Sequence, residues 1–212
     1  MRVLQASLIF LALFCVVACV RQSGSFTDFR DGKEYKIVKI GTQIWMVENL
    51  NYETPSGSWC NENSPDNCSK YGRLYDWNAA KVACPLRWHL PTNAEWDNLA
   101  KSVGGKRDSL KDEMSGTGRI DYYWTPSGKT LKATSGWDKN GNGTDDFRFS
   151  ALPGGYSIDD IFYNYGDLSN WWTATEGSSG NAYSRSIHSD YDNVYEDSYY
   201  VEAGFSVRCV QD

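Results

Sequence analysis

Six cysteines stand in this chain of 212 residues, and their placement constrains its folding more than any other feature. Two of them, Cys15 and Cys19, fall in an apolar leader; the other four, Cys60, Cys68, Cys84 and Cys209, fall in the region that follows. The leader reads MRVLQASLIFLALFCVVAC, with Arg2 as a positive start and a mostly apolar run from Val3 to Val17. A run this short, ending on a small residue, reads as a secretory signal and not as a spanning helix. An exported chain meets oxidising conditions, so an even number of cysteines predicts disulfides, and four cysteines allow three pairings. Cys60 and Cys68 bracket one short polar loop, NENSPDN, which makes them the natural local pair. Cys84 and Cys209 are then left as a long-range staple.

The leader ends in Val16-Val17-Ala18-Cys19, which resembles the bacterial lipobox. There a signal peptidase cuts before the cysteine, and lipid is attached to its sulfur. Cys15 fits poorly because bulky Phe14 precedes it. The expected organisation is a signal peptide over residues 1–18, a lipid-anchored tether over 19–25 and one domain over 26–212. Val20 to Ser25 contain Ser and Gly and read as the tether. No aspartate follows Cys19, so the expected location is the outer membrane or cell surface, with the membrane as partner through the anchor. Loss of Arg2 with the signal takes the net charge from −6 to −7.

That acidic balance argues against a nucleic-acid partner. Nine Trp, 14 Tyr and 8 Phe exclude disorder, and two His exclude a histidine-rich catalytic centre. No CxxC spacing occurs, so a zinc site is not expected.

Alternation in GKEYKIVKIGTQIWMVENL, residues 32–50, predicts a β-hairpin turning at Gly41. Residues 53–70 read as a loop. A short helix is expected over 73–83, with Trp77 in the core. In the second helix Thr92 stands at the N-cap with Glu95 three residues on, a capping box. Trp96, Leu99, Ala100 and Val103 follow on one face, and Gly104-Gly105 stops it. Periodicity is lost from 106 to 146. The runs FRFSALPGGY, NWWTAT, AYSRSIH and GFSVRCV then read as short strands, with 182–188 half-buried. The fold class is α+β, with two helices, short antiparallel strands and long loops, stapled by disulfides.

YGRLYDWNAAKVACPLRWHLPTNAEWDNL, TLKATSGW, NGTDDFRFSALPGGY, NWWTATE and GFSVRCV closely resemble the Fibrobacter succinogenes major paralogous domain family, over nearly the whole mature chain. That family consists largely of secreted or lipid-anchored bacterial proteins whose biochemical role is poorly defined. CPxxWHLPTxAEW and GFxVRC also resemble, more distantly, the C-type-lectin-like fold shared with formylglycine-generating enzymes. In lectin-like domains a cysteine near a helix bonds to one in the last strand, which agrees with Cys84–Cys209.

Formylglycine chemistry uses two redox-active cysteines close together near the C-terminus, and here Cys209 stands alone. No catalytic residue is assigned. Asp138, Asn140, Asn142, Thr144 and Asp146 place oxygens at alternate positions of DKNGNGTDD, a pattern that suits structural Ca²⁺, although Phe149 replaces the closing bidentate Glu. The bland alternative is an Asx/Gly turn, and no cofactor is required. Aromatic rings beside carboxylates and amides suit a sugar-binding surface. Trp124, Tyr191, Tyr195, Tyr199 and Tyr200 are its candidates, while Trp137 and one of the adjacent Trp171 and Trp172 belong to the core. The lectin calcium–sugar tripeptides EPN, QPD and WND are absent. The expected function is a surface-anchored, non-catalytic binding module for polysaccharide, such as plant cell-wall glycan, or for a surface protein. The alternatives are an enzyme on a formylglycine-generating scaffold and a structural envelope lipoprotein.

Overall fold

A computed structural model describes residues 23–111 and 120–212. The signal peptide and the lipidation site Cys19 lie outside the described residues. The described residues begin with three antiparallel strands, β1 (Ser23–Thr27), β2 (Glu34–Ile40) and β3 (Gln43–Met46). β1 pairs Ser23 to Val38, so Ser23–Ser25, read from the sequence as tether, already belong to the sheet. β2 and β3 form the expected hairpin, closing Ile40 onto Gln43 across Gly41-Thr42. Gly41 sits at φ +59°, and a Cβ there would lie 2.2 Å from the Ser102 hydroxyl, so both the turn and its neighbour demand glycine.

β4 (Ser58–Trp59) is followed by a single 3₁₀ turn and α1 (Pro65–Tyr71), where the sequence suggested only loop. Pro65 starts this helix at a position where a missing N–H costs nothing, and the Cys60–Cys68 disulfide ties it back. β5 (Leu74–Tyr75) and α2 (Trp77–Ala83) divide the expected 73–83 helix, because Asp76 caps α2 by accepting from the Ala79 N–H. β6 (Trp88–His89) leads into α3 (Asn93–Ser102), which begins with the expected Thr92–Glu95 capping box.

The stretch without periodicity contains β7 (Lys106–Lys111), β8 (Ile120–Thr125) and α4 (Ser127–Leu131). Four helices, not two, therefore stand among the described residues. Then come β9 (Tyr156–Ile158), β10 (Ile161–Tyr163), β11 (Leu168–Glu176), β12 (Asn181–His188), β13 (Val194–Tyr200), β14 (Phe205–Ser206) and β15 (Val210–Gln211). FRFSALPGGY, expected as a strand, makes only isolated bridges at Ala151 and Gly155 before β9 begins.

One sheet has the order β1-β2-β3-β15-β6, and the large one β4-β5-β14-β11-β12-β13-β8-β7. The last strand thus sits between β3 and β6, joining the two ends of the described chain. Cys84 and Cys209 are bonded there, with Cα atoms 5.9 Å apart. Both faces of β11 are covered. Trp171 packs with Trp45, Trp96 and Phe149, and Trp172 with Tyr75, Trp77 and Phe205. The expectation of one core tryptophan here becomes two, because successive residues of this strand enter cores on opposite faces.

β12 is likewise buried on both sides and not half-buried. Its Arg185 is held by Asp97 at 3.1 Å, by Glu196 at 3.2 Å and by the Asn93 side chain at 3.1 Å, which docks α3 on the sheet. Among the described residues no helix is long and apolar enough to cross a membrane.

Candidate aromatic recognition face

β12, β13 and β8 run side by side, and their register decides which candidate aromatics meet. Tyr195 lies opposite Ser186 on one side and Tyr123 on the other, so all three project to the same face. The rings of Tyr123 and Tyr195 are 5.6 Å apart. His188, at the end of β12, stands 5.4 Å from Tyr195, and Tyr191 closes the group at 6.0 Å from His188 and 6.1 Å from Tyr195. Tyr191 is 55% exposed. Of the five predicted ligand aromatics, the structure brings together Tyr191 and Tyr195, and it adds Tyr123 and His188.

The others part company with them. Trp124, expected in the ligand surface, is 4% exposed and donates its indole N–H to Asp97 at 3.0 Å. It neighbours Tyr123 on a strand and so faces the opposite way, into the core. Tyr199 is half-buried with its ring 5.1 Å from Phe205 in an edge contact. Tyr200 is 67% exposed but pairs with Asn181 at the far end of β12, on the face opposite Tyr195.

The loop that carries Tyr191 is fixed from beneath. Lys132, 1% exposed, donates its ammonium to the carbonyls of His188 (3.2 Å), Ser189 (3.2 Å) and Tyr191 (3.0 Å). No sequence pattern marks this lysine, which lies in TLKATSGW between Leu131 and Ala133. Lys139 adds a second clamp on Asp167 at 3.1 Å and Asp190 at 3.0 Å, and the Ser189 hydroxyl donates to Asp167.

The proposed calcium loop supplies this brace. Gly141 presses on Ser189 so closely that a Cβ would lie 2.5 Å from its carbonyl oxygen. Asp138 donates its backbone N–H to the Gly166 carbonyl at 2.8 Å. Asn140 and Lys139 take left-handed φ values of 58° and 54°. Asn142 Oδ1 accepts from the Trp137 N–H, and Thr144 donates to Asp146 Oδ2. Two of the five candidate residues, Asn142 and Asp146, therefore already have a side-chain oxygen accepting a local hydrogen bond. Among the described residues no group of three or more His, Cys, Asp or Glu is placed to hold a metal ion.

Burial lowers the His188 pKa despite Asp197, Asp167 and Asp190, so the ring is neutral at pH 7. Burial likewise raises that of Tyr195, which stays a phenol and accepts from Asn193 Nδ2 at 3.1 Å. The face can thus offer uncharged rings for stacking beside the exposed carboxylates Asp190 and Asp192. Cys60, Cys68, Cys84 and Cys209 are all bonded in the expected pairs, leaving no thiolate among them.

A family model described as the Fibrobacter succinogenes major domain matches residues 38–211. The chain belongs to that family. No curated protein and no solved structure matches it.

Proposed function

We propose that this member of the Fibrobacter succinogenes major domain family is a lipid-anchored, non-catalytic binding module at the outer membrane or cell surface. Its ligand is a polysaccharide of the plant cell-wall type, recognised by the face built from Tyr123, Tyr191, Tyr195 and His188. One observation carries this reading: four rings form a continuous group whose loop is fixed before any ligand arrives. A preformed aromatic platform spends little conformational entropy on binding. Sugar rings stack their C–H faces on such a platform, and neighbouring polar groups serve the hydroxyls.

The finer fold reading is a C-type-lectin-like domain. It is supported by the last strand lying between β3 and β6 and by a helix-end cysteine bonded to that segment. The anchor reading rests on Val16-Val17-Ala18-Cys19, and mass spectrometry of the mature N-terminus tests it by finding, or failing to find, acylated Cys19.

The binding reading is tested by retention of the full chain on cellulose and on a plant-glycan array. Retention is expected for the native chain and its loss for Tyr191→Ala with Tyr195→Ala. No retention beside a working control rejects the sugar and directs the search to a surface-protein ligand. Thiol titration of the native protein addresses the enzymatic alternative, which requires a free Cys209.

A further inference from the structure

Away from the aromatic face, a cavity of about 350 Å³ opens between β2, the end of α1 and the segment leading to β15. Its charged lining is Lys33, Lys36, Lys70 and Arg208 against Glu34 and Glu48, four cations to two anions. This local excess of two positive charges stands on a chain whose net charge is −6. A second cavity of about 390 Å³ neighbours the first and shares Lys36, Val47 and Ser150 in its lining.

Arg208 is the unusual member. It is 1% exposed, and its guanidinium donates to Asn49 Oδ1 through Nε at 2.9 Å and Nη2 at 2.7 Å, and to the Phe149 carbonyl through Nη1. Every one of these partners is neutral. They satisfy hydrogen bonds without cancelling the charge, and the carboxylates that act on it, Glu48 and Asp145, do so only through space, whereas a buried cation is ordinarily paired directly with an anion. Arg185, also fully buried, shows the ordinary solution, with carboxylates at 3.1 and 3.2 Å. Burial pulls the Arg208 pKa down to about 9, which still leaves it protonated at neutral pH.

We propose that this cavity is a binding site for a compact oxyanion, a carboxylate or phosphate group on a small polar ligand. Arg208 and Asn49 form its floor, and Lys33, Lys36 and Lys70 its rim. Exposed Lys36 and Lys70 and half-buried Lys33 steer and hold the anion, and the buried guanidinium supplies a fixed charge that water screens little. The volume falls at the small end of the range of about 300–1,000 Å³ usual for ligand pockets, which fits a single sugar-sized molecule. The site does not depend on the aromatic face.

The test is calorimetric titration of the full chain in detergent with three probes that share one ring: glucuronate, glucose 6-phosphate and glucose. One or both anions should bind, with affinity falling as salt rises, and glucose should not. Which anion binds names the group. Because Arg208 is buried and its replacement endangers folding, the variant is Lys33→Gln with Lys70→Gln, both at the rim. It should weaken anion binding by about tenfold or more, the equivalent of one decade in Kd, with thermal unfolding unchanged. Absence of binding by both anions, equal binding of glucose, or unchanged affinity in the double variant overturns the proposal.

Discussion

Replacing Lys132 by Met tests whether the Tyr191 loop is pre-set from beneath. Methionine fills a similar volume and removes the ammonium. Three bonds at 3.0–3.2 Å to the carbonyls of His188, Ser189 and Tyr191 are lost together. Bonds to a charged group contribute about 1.5–3 kcal/mol each, or roughly 4.5–9 kcal/mol for three. Against this, the variant no longer buries an ammonium, which relieves several kcal/mol of desolvation. The balance is a destabilisation of about 2–4 kcal/mol, concentrated in residues 188–192. For a chain of this size, about 2–4 °C of Tm is lost per kcal/mol, so Tm should fall by roughly 5–15 °C. Hydrogen exchange read peptide by peptide locates the effect, with protection lost first at 188–192 while β2 and β3 keep theirs. A Tm fall below about 2 °C with unchanged exchange in that loop would refute the reasoning, because the carbonyls would then have found other donors at no cost.

Gly141→Ala should disturb the same loop from its other side, costing about 1–3 kcal/mol as an overpacking change; a neutral result by urea denaturation would contradict the 2.5 Å approach to Ser189. Joint replacement of Cys84 and Cys209 by Ala opens a loop of 125 residues and should cost about 5 kcal/mol on the chain-entropy account, measured by urea denaturation beside the intact protein. Protonated His89 donates to Asp212 at 2.7 Å and to Glu95 at 2.8 Å. Burial lowers its pKa, but these two acceptors outweigh burial and the net shift is upward from 6.5. Its contribution is therefore complete below about pH 6.5 and is lost as pH rises through the raised folded value. Burial raises the Glu95 pKa, but Thr92 and His89 bring it below 4.5 overall, so its contribution is lost as acid protonates it. Tm of the native chain should fall from pH 6 to 9 by more than that of His89→Gln, and parallel curves would sink the assignment.

Much of this was legible wherever the signal is local. The Thr92–Glu95 box, the turn at Gly41 and the spacing of Cys60 and Cys68 each need only a few neighbouring residues, and all three stand in the structure. β7 and β8 escaped because KRDSLK and IDYYWT carry polar side chains on a sheet that water reaches, so their apolar alternation is weak. Trp124 was misplaced for a related reason. Its neighbours Tyr122 and Tyr123 are polar-tipped, yet on a strand only alternate residues share an environment. Lys132, Arg185 and Arg208 could not be read as buried, since nothing in sequence separates a cation that folds inward from the usual solvated one. Their partners are mostly backbone carbonyls and distant side chains that only the fold brings near.

The staple between Cys84 and Cys209 also has a mechanical consequence. Tyr191 lies inside the loop that it closes. A pull applied between the N-terminal side and a ligand on Tyr191 would follow the backbone from 84 to 191 in a chain without the bond. With it, tension crosses from Cys84 directly to Cys209 and reaches Tyr191 from the opposite direction, through 18 residues in place of 107. At no more than about 3.6 Å per extended residue, the shortcut withholds some 300 Å of slack. A module held at one end and gripping at the other would stay short under load, and a reducing environment would let it lengthen.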